Sequence, residues 1–412
     1  MDLIIGAGIS GLSYANFCGH EDYLILDKDS KIGGYCKTIK KDGFTWDYSG
    51  HFFHFRNKEI KDYLLDEMQG QEILNVIKNT QIYYQDNYID FPFQKNIHQL
   101  AKQEFIDCLY DLFNNENKDE STFKKMLFSK FGKSIAEKFL IPYNEKLYAC
   151  DLDDLDGNAM GRFFPYADKE GIIKNFKKPD NESYNTFFTY PRGGAIEYVN
   201  SLYRRVDSSK VSLNEELISV DVENKIAITN KRKIRYDKLI SSMPLTALLN
   251  KSNIEYDKSI YSWNKVVVYN LGFNKKGGDK VNHWVYFPEK KYSFYRIGYY
   301  DNIFGDDRLS LYVELGFHKD EVTNSKDYLK IILNDLKKAG IITDHELIAH
   351  ARILMDPAYV HVNKNSEKDK VKLKEKLAQK DVYSIGRYGD WKYCSIEDNI
   401  IEAKELTKNL IK

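Results

Sequence analysis

The chain opens on a short apolar strand that runs directly into a glycine-rich turn. Residues 1–11 read Met-Asp-Leu-Ile-Ile-Gly-Ala-Gly-Ile-Ser-Gly, which is a strand followed by G-x-G-x-x-G. Gly6 permits the tight turn, Gly8 lets the backbone approach a pyrophosphate, and Gly11 lets the following helix pack closely on the strand. The helix N-terminus then favours anions through its free N–H groups and its positive dipole end. The pattern predicts a dinucleotide site; the alternative is an incidental glycine turn.

A second apolar strand and a paired glycine extend this site. The strand Tyr23–Leu26 ends at Asp27, about 20 residues downstream, where the fingerprint places a carboxylate on the ribose hydroxyls. Gly33 and Gly34 follow, as in flavin enzymes of the glutathione-reductase type, which favours FAD over a nicotinamide cofactor. His51 comes directly after a glycine where the chain would cross the flavin ring. The alternative for His51 is a satisfied core histidine.

Length, charge and cysteine usage narrow the class of protein. The 412 residues should divide into two or three domains, because single cores stop growing at roughly 250–300 residues. Lys plus Arg equals Asp plus Glu, 61 each, so no field of one sign predicts nucleic acid or an anionic membrane as a partner. No apolar run approaches the ~20 residues of a membrane span. The five cysteines lack metal-ligand spacing, and with no leader evident they predict a reducing cytoplasm and no metal site.

Apolar periodicity predicts the other elements. In the first half of the chain we expect a hairpin over 81–93, helices from 97 to about 173, a loop or flap over 174–185 and a helix over 195–206. Three strands between 217 and 236 should precede a parallel strand, and a strand-rich segment should span 262–318. A helix over 328–336, a strand from 382 and a terminal helix from about 399 should complete the chain's elements.

The predicted fold class is α/β: a Rossmann-like FAD-binding domain of the glutathione-reductase type, with a helical insertion domain and an antiparallel-sheet substrate domain. The expected FAD-binding domain is discontinuous. The boundaries that we expect are 1–80, 186–255 and 376–412 for the FAD-binding domain, 96–185 for the helical domain with its flap, and 81–95 with 256–375 for the substrate domain.

Several separated stretches together resemble UDP-galactopyranose mutase, and its eukaryotic-type branch more than the bacterial one. They follow family order over nearly the whole chain, and the ordered set is more specific than any one of them. The stretches are Gly-His at 50–51, Phe-Pro-Phe-Gln-Lys-Asn-Ile at 91–97, residues 131–144, Met-Gly-Arg at 160–162, residues 185–194, His-Trp-Val-Tyr-Phe-Pro-Glu at 283–289 with Phe-Tyr-Arg at 294–296, and Gly-Arg-Tyr-Gly-Asp-Trp-Lys-Tyr at 386–393.

The resemblance implies an isomerase that interconverts UDP-galactopyranose and UDP-galactofuranose, or a close nucleotide-sugar pair, without net redox change. In that family reduced FAD is the active form, and its N5 attacks the anomeric carbon and displaces the nucleoside diphosphate. The substrate is then a nucleotide-diphosphate sugar. NAD(P)H or a flavin reductase would be a transient electron donor, and a homo-oligomer stays open.

Matching positions carry the family's roles to this chain. The resemblance implies diphosphate contacts and catalysis by Arg162, Arg296, Tyr359 and Tyr393 together with His51, and guanidinium forks suit phosphate oxygens. Substrate contacts are implied for Phe91, Phe93 and Gln94 at the nucleobase and for Asn185, Trp284 and Tyr286 at the sugar. Cofactor contacts are implied for Gly6, Gly8, Gly11, Asp27, Gly33, Gly34, His51, Leu217, Arg387, Asp398 and Asn399, where Asp398 or Asn399 could instead cap the final helix.

Three positions depart from the family's usual residues. Ser49 replaces a glycine, His54 an aromatic residue, and Phe91 a tyrosine, so the nucleotide and the sugar stay open. Two other functions also stay open: an FAD-dependent oxidase or desaturase of the amine-oxidase or protoporphyrinogen-oxidase type, and a non-catalytic nucleotide-sugar or flavin-binding module. A site for a hydrophobic amine or a porphyrin would have no need for two arginines and two tyrosines around one anion.

Overall fold

The computed structural model describes residues 1–68, 70–180 and 186–410. Its strands, in chain order, are β1 Asp2–Ile5, β2 Tyr23–Leu26, β3 Thr38–Lys41, β4 Phe44–Asp47, β5 Ile73–Ile77, β6 Thr80–Tyr84, β7 Asn87–Asp90, β8 Phe187–Pro191, β9 Val211–Ser212, β10 Leu217–Asp221, β11 Ile226–Thr229, β12 Lys233–Arg235, β13 Lys238–Ser241, β14 Ser262–Phe273, β15 Trp284–Tyr286, β16 Arg296–Tyr299, β17 Ser310–His318, β18 Leu347–Met355, β19 Val360–His361 and β20 Val382–Ser384.

The helices lie between these strands. In chain order they are α1 Ile9–Phe17, α2 Lys58–Asp66, α3 Lys102–Phe113, α4 Phe123–Ile135, α5 Ile141–Tyr148, α6 Lys169–Lys177, α7 Ile196–Tyr203, α8 Leu245–Lys251, α9 Tyr300–Phe304, α10 Tyr328–Lys338, α11 Lys364–Ala378, α12 Gly386–Gly389 and α13 Ile396–Leu410, with a π-helical turn at Ala136–Leu140 directly before α5.

A parallel sheet holds the N-terminal glycine turn. Its order is β20-β13-β1-β2-β9, with β1 at the centre. Residues of β1, β2 and β13 such as Ile4, Ile25 and Ile240 are fully buried, as expected for strands with both faces covered. Helices α1, α7 and α13 contribute to the apolar cluster on one face of this sheet. The carboxyl end of β1 therefore delivers the glycine turn to the edge where doubly wound sheets bind ligands.

A second, mixed sheet forms the opposite wall of the main cavity. Its order is β18-β14-β17-β16-β15-β6-β7, antiparallel except for the parallel pair of β15 and β6. Along each strand, successive side chains point to opposite faces of this sheet. Val285, Ile297 and Val313 belong to an apolar cluster that also contains residues of α10. The alternate positions of β15, β16 and β17 consequently point to the cavity.

The secondary structure confirms most of the predicted elements, including the hairpin of β6 and β7 and the meander of β10, β11 and β12. Several boundaries differ by a few residues; α7, for example, spans Ile196–Tyr203 rather than 195–206. The terminal helix begins at Ile396, three residues before the predicted start, because Ser395 and Asp398 form a reciprocal cap there. Helix α6 continues to Lys177, inside the predicted loop, and residues 181–185 of that loop lie outside the described part of the chain.

Candidate active site

The predicted site residues meet in one large cavity between the two sheets. It has a volume of about 1060 Å³. Fifteen of the predicted residues line it: Gly6, Gly8, Asp27, Gly33, Gly34, His51, Phe91, Leu217, Trp284, Tyr286, Arg296, Tyr359, Arg387, Tyr393 and Asn399. The cavity therefore unites the dinucleotide turn with the positions implied for the substrate.

The glycine turn has the geometry that its spacing predicts. Gly6 has φ +106°, and a Cβ there would lie 2.2 Å from the Ser242 hydroxyl oxygen. A Cβ on Gly11 would lie 1.9 Å from the Gly6 carbonyl oxygen, so α1 packs on β1 without room for a side chain. A Cβ on Gly8 would lie 3.7 Å from the Gly34 Cα, so two glycines face each other across the entrance to the helix N-terminus. This open cradle fits a pyrophosphate.

Gly11→Ala should destabilise the protein because its methyl group would overlap a backbone oxygen. We expect a loss of about 2 kcal/mol or more in the free energy of unfolding and a reduced fraction of bound FAD. Urea unfolding and the flavin absorbance of the purified protein measure the two effects. Gly278→Ala is the matched control, since no atom lies within 4 Å of its added Cβ. Equal stability of the two variants would contradict the close packing of α1 on β1.

Asp27 braces the turn from the end of β2. Its carboxylate oxygens accept hydrogen bonds from the backbone N–H of Ala7, at 2.7 Å, and of Asp29, at 2.9 Å. Burial raises the pKa of Asp27, against these two donors, which lower it. The carboxylate lines the cavity, as a ribose contact requires.

His51 and Arg387 both line the cavity. Burial and the nearby Arg387 lower the pKa of His51 to about 4, and its Nδ1 atom has no hydrogen-bond partner among the described residues. The imidazole is thus neutral at pH 7. The Arg387 guanidinium carbon lies 4.5 Å from the ring centroid of Tyr393 and 5.1 Å from that of Tyr359. These two tyrosines are nearly parallel, with centroids 5.8 Å apart.

Arg296 reaches the cavity from β16 but already has a carboxylate partner. Its Nε and Nη2 atoms donate to the two oxygens of Glu314 at 2.6 and 2.9 Å. The two residues lie directly opposite each other on β16 and β17. Burial acts to lower the pKa of Arg296, but the Glu314 carboxylate raises it well above its usual value. Arg296 therefore stays positively charged, and the Glu314 carboxylate partly neutralises this charge.

Aromatic side chains form the cavity wall at the mixed sheet. Trp284 stacks on Phe52, with centroids 5.5 Å apart, and its indole N–H donates to the Tyr286 hydroxyl at 2.9 Å. Phe91 lies 5.1 Å from Tyr286 between centroids, and the Lys78 ammonium nitrogen lies 4.9 Å from the Phe91 ring. Flat apolar faces of this kind suit a nucleobase and a sugar ring.

Two predicted nucleobase contacts lie elsewhere. Phe93 is fully buried and stacks on Phe139, and Gln94 is fully buried with its amide bonded to the Pro165 carbonyl. Neither residue lines the cavity. After Pro92 the chain turns into the 3-10 helix Phe93–Lys95, which directs these side chains into the core. The Gln94 Oε1 atom nevertheless lacks a partner among the described residues.

Arg162 and Asp398 do not line this cavity either. Arg162 forms an ion pair with Asp398, with a shortest distance of 2.6 Å, and both line a neighbouring surface pocket. Asp398 caps α13 through the Ser395 backbone N–H, so the capping alternative describes its contacts. The two pockets share Tyr393 on their common wall. Asn185 lies outside the described residues.

Sequence reasoning missed Glu314, Tyr312 and Asn144. Tyr312 and Glu314 alternate with Val313 along β17, and this period of two could have assigned them to the face of Arg296. Asn144 lines the cavity, with its Nδ2 atom bonded to the Leu140 carbonyl at 2.6 Å and its Oδ1 atom without a partner among the described residues. It follows the π-helical turn, a feature frequent at functional sites, which sequence alone does not reveal.

The N-terminal region matches a known domain. A family model described as an NAD(P)-binding Rossmann-like domain covers residues 4–67. This match confirms the Rossmann-like domain predicted for the start of the chain. Among the described residues, no helix combines the length and the hydropathy of a membrane span.

Comparison with solved structures defines the fold further. The Rossmann-like domain that the family model matches is of the dinucleotide-binding kind predicted for the cofactor site. The chain is similar to a crystal structure of reduced UDP-galactopyranose mutase, with a TM-score of 0.90, 22% identity, and coverage of 100% of this chain and 93% of that chain. The predicted fold is thereby confirmed.

Oxidases share the fold. A candidate protoporphyrinogen oxidase from Exiguobacterium sp. 255-15 has a TM-score of 0.79 and 15% identity, covering 99% of this chain and 98% of that chain. Coproporphyrinogen III oxidase from Staphylococcus aureus (strain NCTC 8325 / PS 47) is 21% identical over 280 residues, or 58% of this chain and 60% of that protein. The match therefore spans less than two thirds of this curated relative's length.

Proposed function

We propose that the protein is a nucleotide-sugar mutase that interconverts UDP-galactopyranose and UDP-galactofuranose, or a close nucleotide-sugar pair. The observation that carries this proposal is the convergence of Arg296, Arg387, Tyr359 and Tyr393 in the cavity that also contains the glycine turn and His51. Two guanidinium groups and two hydroxyls beside a dinucleotide site suit a second, anionic ligand, such as a sugar-linked diphosphate. The fold similarity to UDP-galactopyranose mutase supports the same conclusion.

The cofactor residues fit FAD. The facing glycines Gly8 and Gly34 leave space for a pyrophosphate at the start of α1, and Asp27 offers a carboxylate for the ribose. We propose that Leu217 contacts the adenine and that Asn399 supports the Arg387 turn, since its Oδ1 atom accepts the Arg387 backbone N–H at 2.7 Å. Reduced FAD, when bound, supplies the nucleophile for the anomeric carbon.

The chain's own residues would hold the charge of the leaving group. Arg296 would bind phosphate oxygens while Tyr359 and Tyr393 donate their hydroxyls, and Arg387 would add positive charge beside the cofactor. His51, neutral at pH 7, would present an imidazole nitrogen rather than a cation. Arg162 would have to leave Asp398 to join them. Phe91, Trp284 and Tyr286 would stack on the base and the sugar.

The enzyme assay tests the proposal directly. Purified protein should be yellow, inactive when oxidised, and able to convert UDP-galactofuranose to UDP-galactopyranose after dithionite reduction, as resolved by chromatography. Dithionite avoids assuming the electron donor, for which we propose NAD(P)H or a flavin reductase. Absence of turnover with every nucleotide sugar tried would contradict the mutase proposal.

A second candidate is a flavin-dependent oxidase or desaturase. It is favoured by the fold similarity to the Exiguobacterium protein and by the sequence match to coproporphyrinogen III oxidase. The buried, permanently charged Arg296 argues against an amine substrate, because this charge repels a protonated amine, whereas it would suit the propionate groups of a porphyrinogen. Rapid oxygen consumption with a porphyrinogen or an amine would favour the oxidase.

We also propose the domain division predicted from the sequence. The parallel sheet takes its strands from residues 2–26, 211–241 and 382–384, while the mixed sheet takes them from 80–90 and 262–355. This sheet membership supports a discontinuous FAD-binding domain and a sheet-based substrate domain.

A further inference from the structure

The buried network behind Arg296 extends beyond one ion pair. Glu314 is 1% exposed, and besides both contacts from Arg296 its Oε1 atom accepts a hydrogen bond from the Ser49 hydroxyl. Ser49, itself buried, lies two residues before His51, and its carbonyl oxygen accepts the His51 backbone N–H at 2.7 Å. A chain of contacts thus runs from the loop of His51 through one carboxylate to Arg296.

The network has two sides. Arg296, Ser49 and His51 line the cavity, whereas Glu314 does not. The carboxylate therefore holds two of the guanidinium nitrogens, Nε and Nη2, from the protein interior. A guanidinium has five N–H donors, so a phosphate entering from the cavity can bind the edge of Arg296 that Glu314 leaves open, but the negative charge of that carboxylate opposes it across the same group.

We propose that Glu314 is a positioning residue that limits the affinity of the cavity for diphosphates by competing for Arg296, and that the Ser49 hydroxyl sets the strength of this competition. This inference rests on the proposed function. A buried charge without a partner is costly, so an unpaired Arg296 would gain more from an incoming anion than the paired Arg296 does. With Glu314 in place, Arg296 is satisfied before the ligand arrives and after it leaves.

We expect substitutions of Glu314 and of Ser49 to change diphosphate affinity in opposite directions. Glu314→Gln removes the competing charge, so a diphosphate should bind at least about tenfold more tightly, and KM and kcat should both fall as release slows. Ser49→Ala removes a donor that draws negative charge from the carboxylate, so Glu314 should hold Arg296 more firmly and diphosphate binding should weaken about threefold. Ser49→Thr keeps the hydroxyl and should restore wild-type affinity. General loosening of the fold would weaken binding in both variants.

Calorimetric titration of the FAD-loaded proteins with UDP and with inorganic pyrophosphate tests the proposal. Asp301→Asn is the matched control, because Asp301 is a fully buried carboxylate that pairs with Lys276 outside the cavity lining. Its affinity for either probe should equal that of the wild type. If Glu314→Gln fails to fold, the weaker binding of Ser49→Ala and its rescue by Ser49→Thr decide the question alone.

The outcomes separate this inference from the proposed function. In one outcome the wild type binds UDP, but binding is unchanged or weaker in Glu314→Gln or unchanged in Ser49→Ala. This outcome would overturn the role of Glu314 and leave the mutase proposal standing. In another outcome the wild type does not bind UDP, while Glu314→Gln binds pyrophosphate more tightly than the wild type does. This outcome would support the competition for Arg296 and contradict a nucleotide sugar as the substrate. Failure of every variant to bind either probe overturns both.

Discussion

Arg296→Lys should reduce mutase turnover at least about 100-fold while FAD stays bound, because a lysine cannot hold a carboxylate and a phosphate through one rigid fork. Lysine keeps the positive charge beside Glu314, so the buried carboxylate is not left alone. Arg296→Ala would leave the buried Glu314 carboxylate without its partner, at a cost of about 3–5 kcal/mol in the free energy of unfolding. A catalytic defect could then not be told from a folding defect. Lysine is therefore the more informative substitution.

Turnover of the reduced enzyme and the flavin-to-protein absorbance ratio are the two measurements for Arg296→Lys. Arg192→Lys is a suitable control, since Arg192 pairs with the exposed Glu72 on the surface and does not line the cavity. Loss of flavin from Arg296→Lys, or turnover within a few-fold of wild type, would remove Arg296 from the proposed diphosphate site.

Asp47→Ala should lower the free energy of unfolding by at least about 3 kcal/mol, because it leaves three buried hydrogen-bond donors without an acceptor. The fully buried Asp47 carboxylate accepts from the Thr38 hydroxyl and the Tyr190 hydroxyl, each at 2.6 Å, and from the Ala195 backbone N–H at 3.0 Å. It joins β3, β8 and the start of α7 at the base of the loop that carries His51. We expect flavin occupancy to fall together with stability.

The pH dependence of this loss is a second signature. Burial, opposed by those three donors, raises the pKa of Asp47 to about 6 from a usual value of 3.8. Between pH 6 and 4 the folded state binds a proton that the unfolded state does not, so this carboxyl stabilises the fold more as pH falls. The stability difference between wild type and Asp47→Ala should thus widen from pH 7 to pH 5.

Urea unfolding at both pH values measures the effect of Asp47→Ala. Asp221→Ala is the control, because Asp221 is exposed and accepts hydrogen bonds from Asn224 in a surface turn. A loss below about 1 kcal/mol for Asp47→Ala, as expected for the control, would show that its three donors find other partners.

Local patterns were enough to predict the fold. The glycine spacing at Gly6, Gly8 and Gly11 predicts a strand, a turn and a helix from steric limits within one stretch of chain. Trp284 and Tyr286, which the resemblance implies at the sugar, lie two residues apart on β15 and both line the cavity. These inferences hold because backbone geometry fixes side-chain direction over a few residues.

Contacts between distant segments could not be predicted in this way. Phe91, Phe93 and Gln94 belong to one motif, yet only Phe91 faces the cavity, because the turn after Pro92 buries the other two. The partners of Arg162 and Arg296, which are Asp398 and Glu314, come from separate elements. No spacing rule specifies such pairs.

The order of strands in the parallel sheet has a consequence for biosynthesis. Strand β1, which leads into the dinucleotide turn, is synthesised before its neighbour β13, which ends at Ser241, and before the edge strand β20, which ends at Ser384. Helix α13, which packs on α1, is made later still. The cofactor site therefore cannot close until β13, β20 and α13 have been synthesised. We expect FAD to be captured only after these three segments have been made.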